Sequence, residues 1–156
     1  MWADLITPYP RNIWWGPGAV YITSDYVIEE GVKLTIFPGT VVIFDTTDAQ
    51  EGGSDSSKCE LIVQGTLSAR GTEQDSIYFL SVSSTPSDSD WQGIIVQWGG
   101  TAQLSYCNIQ SAYTGIKYVN SSVDTVSHCL FRNNLEHGLR IENDGVLVDE
   151  CTIEKD

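Results

Sequence analysis

Leu104-Ser-Tyr-Cys-Asn-Ile109, Val126-Ser-His-Cys-Leu-Phe131 and Val148-Asp-Glu-Cys-Thr-Ile153 are copies of one pattern, set 22 residues apart by Cys107, Cys129 and Cys151. Apolar residues recur three before and two after each cysteine, and the positions between are mostly polar. A fixed period this short marks a solenoid, in which each repeat is one rung that cannot bury its own core. Helical repeats are generally longer, and no stretch of ten residues spaces its apolar side chains at helical intervals.

The pattern extends in both directions from there. Gly93-Ile-Ile-Val96 matches Gly115-Ile-Lys-Tyr118 at the same offset, and Gly138-Leu-Arg-Ile141 follows one residue late, as if a corner had absorbed one extra residue. Farther upstream, Leu34-Thr-Ile-Phe-Pro-Gly-Thr40 aligns with Leu61-Ile-Val-Gln-Gly-Thr66 at an offset of 27, with the surplus in the polar stretch 46–60. Ile77-Tyr-Phe79 takes the place of Leu104-Ser-Tyr106, and 83–90 forms a second outgrowth. Val32, Leu34 and Ile36 alternate with Lys33 and Thr35, the period of two that sends one side chain inward and the next outward. Gly, Asn, Asp and Pro-Gly corners punctuate the short apolar runs. The reading is an all-β solenoid of about six coils, each strand pairing with the coil above and below.

The run from Val27 to Phe44, VIEEGVKLTIFPGTVVIF, resembles the opening coils of right-handed parallel β-helix proteins. Leu61-Ile-Val-Gln-Gly-Thr-Leu-Ser-Ala-Arg-Gly71, Trp91-Gln-Gly-Ile-Ile95 and the later Cys-x-[Ile/Phe] and Gly-[Ile/Leu] segments are similar to that family too. The resemblance covers residues 19–154 and implies a single-stranded right-handed parallel β-helix of the pectate-lyase-like kind. It does not choose a function, because pectate lyases, polygalacturonases, adhesins and tail spikes share the architecture.

The remaining features narrow the class. The 156 residues suit one domain, divided into a Trp-rich N-terminal cap over 1–18, holding Trp2, Trp14 and Trp15, and a β-helix over 19–156. No stretch is apolar enough for membrane insertion. Met1 to Pro10 lacks a basic n-region followed by an apolar h-region, so no signal peptide is expected there. The close at Glu154-Lys-Asp156 falls partway through a coil, which suggests a solenoid excised from a larger secreted or cell-surface protein. With 21 acidic against 8 basic residues and a net charge of −13, the chain lacks the basic footprint nucleic acid requires.

The three ladder cysteines read as a buried column of free thiols. In-register side chains on parallel strands run alongside one another rather than pointing at each other as a disulfide needs, and thiols serve as small apolar fillers. Cys59 has no evident mate. His137-Gly138 and Arg140-Ile141 resemble two pieces of the polygalacturonase signature, yet the Asn-Thr-Asp and Asp-Asp pieces are missing. Without a carboxylate pair flanking the scissile bond, acid–base glycoside hydrolysis has no machinery. Lys117 and Arg140 stack on an outer face, with no row of acids expected on the rungs beside them.

Binding residues are easier to nominate. Tyr106, His128 and Glu150 hold one outward position on three consecutive coils and form a polar column with an aromatic plane, suited to a sugar chain. Trp98 and Tyr113, near corners, are rim residues. Asp45, Asp48, Glu51 and Asp55 crowd the first loop beside Gly52-Gly53, with Asp88 and Asp90 in the second. Ca²⁺ is the hard cation such oxygens would take, although the spacing matches no known calcium loop. The chain reads as a non-catalytic scaffold or adhesion module with a glycan as its expected ligand and no required cofactor. A polysaccharide lyase or hydrolase core and a self-assembling structural solenoid are the alternatives, and weak self-association through the C-terminal coil is expected.

Overall fold

A computed structural model describes residues 11–48, 57–121, 124–142 and 144–155. The chain winds through six coils. Coil one carries β1 (Arg11–Trp15), β2 (Gly18–Ile22) and β3 (Tyr26–Ile28); coil two carries β4 (Val32–Ile36), β5 (Thr40–Phe44) and β6 (Glu60–Val63). Coil three has β7 (Thr66–Arg70), β8 (Ile77–Ser81) and β9 (Gly93–Val96); coil four has β10 (Thr101–Ser105), β11 (Cys107–Gln110) and β12 (Thr114–Tyr118). Coil five has β13 (Asp124–Ser127), β14 (Leu130–Arg132) and β15 (His137–Ile141), and coil six has β16 (Val146–Asp149) and β17 (Thr152–Glu154). No helix occurs among the described residues.

Each of coils one to five gives one strand to each of three sheets, coil six gives one to the first and one to the second, and every pairing between coils is parallel. The first sheet runs β1-β4-β7-β10-β13-β16, the second β2-β5-β8-β11-β14-β17, and the third β3-β6-β9-β12-β15. The all-β parallel solenoid is therefore the architecture of the chain. The 22-residue period appears directly in the register, with Leu104 opposite Val126, Asn108 opposite Leu130 and Ile94 opposite Ile116. Leu139 sits opposite Ile116, so the late glycine segment does absorb one residue at a corner.

Two upstream alignments need correcting. Leu34 pairs with Leu67 in the first sheet, whereas Leu61 pairs with Tyr26 in the third. Leu34 and Leu61 lie on the first and third sides of one coil, not on the same side of two. Ile77 pairs with Cys107, not Leu104, so β8 belongs three residues farther along than its pattern suggested. Short apolar triplets look alike on every side of a solenoid, and only an uninterrupted period tells them apart. The boundary at residue 18 also shifts. β1 lies in register with β4 from Arg11 to Trp15, so Trp14 and Trp15 are strand residues of the first coil, and Trp2 lies outside the described residues.

Inward side chains fill one continuous core. Its bulkiest members include Trp91, Tyr118, Phe44, Phe79 and Phe131. Phe44 stacks on Trp91 with centroids 3.8 Å apart, and the Trp91 indole N–H donates to the Gln110 carbonyl at 2.8 Å. Trp91 thereby pins the root of the second loop to the core. Both long loops, between β5 and β6 and between β8 and β9, leave from the corner joining the second sheet to the third. Close approach dictates Gly93 at the start of β9, where a Cβ would lie 1.8 Å from the Thr114 carbonyl oxygen of the next rung.

The corner between the first and second sheets is different, because in coils four to six it turns at a single left-handed residue. Tyr106, His128 and Glu150 each take it with φ between 50° and 52°. That left-handed conformation turns the chain in one step and is uncommon for residues other than Gly, Asn and Asp. The following residues, Cys107 and Cys129, point inward at 2% exposure each, while Cys151 is only partly buried.

Candidate functional site

The outer face of the third sheet carries a groove. Register stacks Ile62, Ile95, Lys117 and Arg140 in one column on β6, β9, β12 and β15. Four rungs at ~4.8 Å spacing make a floor about 14 Å long. Tyr113 and Glu136, at the corner entering this sheet, form one bank, and Gln97 and Val119, at the corner leaving it, form the other. The enclosed volume is about 350 Å³. A second hollow of about 340 Å³ shares Gln97 and Val119 and adds Trp98 and Asn120, so Trp98 lies just beyond the outgoing bank. Trp98 is 75% exposed and sits at φ 62°, a combination that presents the indole to solvent.

Charges at the coil-five end are tightly paired. Arg140 Nε lies 2.6 Å from Glu142 Oε2, Arg140 Nη1 lies 2.9 Å from Glu136 Oε1, and Lys117 Nζ lies 3.6 Å from Glu142 Oε2. His137 Nε2 adds a contact to Glu136 at 3.4 Å. Tyr113 hydrogen-bonds the Glu136 carboxylate, which raises the phenol above its ordinary value. The same bond, with the nearby His137 and Arg140, holds Glu136 below the usual carboxylate range. The acids that pair with Lys117 and Arg140 are Glu136 and Glu142, which bracket β15 in sequence and do not form a row along neighbouring rungs.

At the coil-two end the groove meets Glu60, which is 1% exposed. Its backbone N–H donates to Asp25 Oδ1 at 3.0 Å. Burial, followed by the charges of Asp48 and Glu60, pushes the Asp25 carboxyl up to about 6. Gln92 lines the same end, and its side-chain Oε1 is buried with no hydrogen-bond partner among the described residues.

The nominated residues divide between two places. Tyr113 lines the groove, and Trp98 lines the adjoining hollow that shares Gln97 and Val119 with it. Tyr106, His128 and Glu150 form a column on the corner between the first and second sheets, beside a shallow hollow with Ser76 at its upper end. Within that column the rings of Tyr106 and His128 lie 4.7 Å apart at 12°, and His128 Nε2 is 3.0 Å from Glu150 Oε2. One face of each ring is therefore covered by the other.

Two of the four acids nominated for Ca²⁺ fall within the described residues. Asp48 is 5% exposed and turned toward Asp25, Asp45 accepts from the Thr46 N–H at 2.7 Å, and Glu51 and Asp55 lie outside the described residues. No group of three or more metal-ligating side chains converges among the described residues. In the second loop, Asp88 pairs with Lys155 at 3.6 Å, and Asp90 accepts from the Ser87 hydroxyl at 2.8 Å.

Residues 76–156, a little over half the chain, match the family model of the right-handed β-helix region. The chain belongs to the right-handed β-helix family. Comparison with curated proteins and with solved structures finds no match. In β-helix terms, the groove occupies the side entered after the second-sheet corner, where both loops arise. Sequence reasoning missed Gln92, Glu60, Glu136 and Glu142. The one usable signal was the stacking of Lys117 under Arg140, since paired outward cations on adjacent rungs need carboxylates nearby.

Proposed function

We propose that this β-helix is a non-catalytic scaffold or adhesion module of a secreted or cell-surface protein, and that its third-sheet groove holds a glycan. The observation that carries this reading is Trp98, a 75% exposed indole in the hollow that adjoins, across Gln97 and Val119, a groove with an aliphatic floor at Ile62 and Ile95. Aromatic faces stack on pyranose rings, and convergent polar groups such as Gln97 and Tyr113 fix hydroxyls. The groove acids support a non-catalytic role. A general acid needs a raised pKa, whereas Glu136 is held low by Tyr113 and tied to Arg140.

Titration calorimetry against a panel of oligosaccharides tests the reading, comparing the wild-type chain with Trp98→Ala. Binding that falls about two- to tenfold in the variant, with unchanged thermal stability, is expected, since one stacked aromatic contributes about 0.5–1.5 kcal/mol. Binding indifferent to Trp98 would remove the site. New reducing ends or ultraviolet-absorbing unsaturated ends in any digest would move the protein to the polysaccharide-active class.

A further inference from the structure

We infer that the hollow beside Trp98 is a subsite for uncharged pyranose units, which makes neutral polysaccharide the class of glycan bound. The inference rests on the glycan reading above and names the class of sugar that reading leaves open.

Gln97, Trp98, Val119 and Asn120 line the hollow, and none of the four ionises. Trp98 and Asn120 stand 22 residues apart on consecutive rungs, and both are left-handed, with φ of 62° and 51°. The Gly99 N–H donates to the Asn120 carbonyl at 2.7 Å and the Gly100 N–H to the Gln97 carbonyl at 3.0 Å, so backbone bonds fix this corner. Asparagine tolerates the left-handed conformation, whereas for a bulky residue it is an outlier. Trp98 gains little burial in return, being 75% exposed. Strain that the fold does not repay points to a side chain held for a ligand.

The amides beside it are free to serve the same ligand. No hydrogen bond among the described residues engages the side chain of Gln97 or Asn120. Each amide offers a donor next to an acceptor, and a sugar hydroxyl both gives and takes a hydrogen bond. An indole flanked by two such amides suits a ring that is apolar on its face and hydroxylated at its edge. Charged sugars gain nothing extra there. Across Gln97 and Val119, Lys117 and Arg140 are already paired with Glu136 and Glu142, so a uronate or an ammonium would have to break an ion pair to find a partner. The net charge of −13 adds general repulsion for a uronate.

The test titrates wild-type protein, Trp98→Ala, Gln97→Leu and Asn120→Gly with cellohexaose, mannohexaose, galacturonic acid hexamer and glucosamine hexamer, at low and at high salt. Glycine keeps the left-handed corner while removing the Asn120 amide. At least one neutral hexamer is expected to bind, with an affinity that salt leaves within about twofold, since no charge takes part. Each substitution should weaken that binding about two- to tenfold. Any attraction of glucosamine hexamer to the acidic chain should disappear at high salt. A charged hexamer bound at high salt more tightly than both neutral ones overturns the inference, and leaves the glycan reading standing if Trp98→Ala weakens that binding. This comparison uses the wild-type chain, so it decides the charge class even if a variant fails to fold. Neutral binding that depends on Trp98 but survives both Gln97→Leu and Asn120→Gly unchanged overturns the inference as well. Absence of binding by all four oligomers removes both readings together.

Discussion

Tyr106 and His128 stack ring on ring, 4.7 Å apart and 12° from parallel, one rung above the other on a corner that each turns alone at φ near 50°. Stacking of such a pair contributes about 0.5–1.5 kcal/mol, and the exposed ion pair from His128 to Glu150 at most about 1. Against this stands the cost of a left-handed conformation for a non-glycine residue, about 1–2 kcal/mol.

The opposed contributions make a prediction about His128. His128→Ala loses the stack and keeps the strain, so it should cost about 1–2 kcal/mol. His128→Asn loses the stack but tolerates the left-handed corner, so urea unfolding should place it within about 1 kcal/mol of wild type. Neither should alter glycan affinity if binding is confined to the third-sheet groove. Equal destabilisation by both would show that the corner conformation carries no cost.

The thiols should react in a set order. Cys107 and Cys129 are 2% exposed, and burial pushes the Cys107 thiol well above its ordinary value. Cys59 is pushed up to about 12 by burial and by the charge of Asp48 beside it. Thiol labelling of the folded chain is expected to modify Cys151 first and the other three only on unfolding, because Cys151 alone of the four is not fully buried and access limits the reaction. Unreduced mass spectrometry should find no Cys107–Cys129 or Cys129–Cys151 bridge. Cys129→Ala should cost about 1 kcal/mol.

Asp25 should govern part of the pH dependence of stability. Its folded pKa, about 6, exceeds the ordinary carboxyl value, so the folded state favours the protonated form. That stabilisation is fully present below about pH 4, the unfolded value, and is lost as pH rises through about 6. Asp25→Asn keeps the oxygen that accepts from Glu60 N–H and removes the charge. The variant should be more stable than wild type at pH 7 by about 1 kcal/mol after solvent screening, with a flatter profile between pH 4 and 6. A variant less stable at pH 7 would mean that the acids do not oppose one another there.

Gly93 and Gly99 both have positive φ, yet a Cβ at Gly93 would strike the Thr114 carbonyl while one at Gly99 would meet open space. Gly99→Ala should cost about 1 kcal/mol from backbone strain alone, and Gly93→Ala several, because a rung must shift. Comparable melting temperatures would disprove the close stacking of coils three and four at that corner.

Much of this was legible in the sequence, and the limits have physical causes. From Gly93 onward the corners keep nearly constant length, so the spacing of the cysteines and glycines transmits the register unchanged through Lys117 and Arg140. Upstream, the loop before Glu60 and the loop before Gly93 break the count. Leu34 and Leu61 then look equivalent although they lie on different sides. The groove was harder to see because it is assembled across rungs: Ile62, Ile95 and Lys117 touch only through register, and Glu136 and Glu142 reach it from corners. The column of Tyr106, His128 and Glu150 was visible from the period. That its rings face each other was not, because it follows from the one-residue turn that aims all three side chains along the same line.

All three sheets run their ladders in one direction, with each strand bonded only to the rungs above and below. This gives the molecule a mechanical grain. Tension applied along the solenoid axis would open the ladders a few bonds at a time and peel coils off in sequence. Tension along a strand would load a whole row of bonds in shear at once. A β-helix built this way is compliant when pulled end to end and stiff when pulled across, so the direction from which a tethered partner tugs would decide how much force the attachment survives.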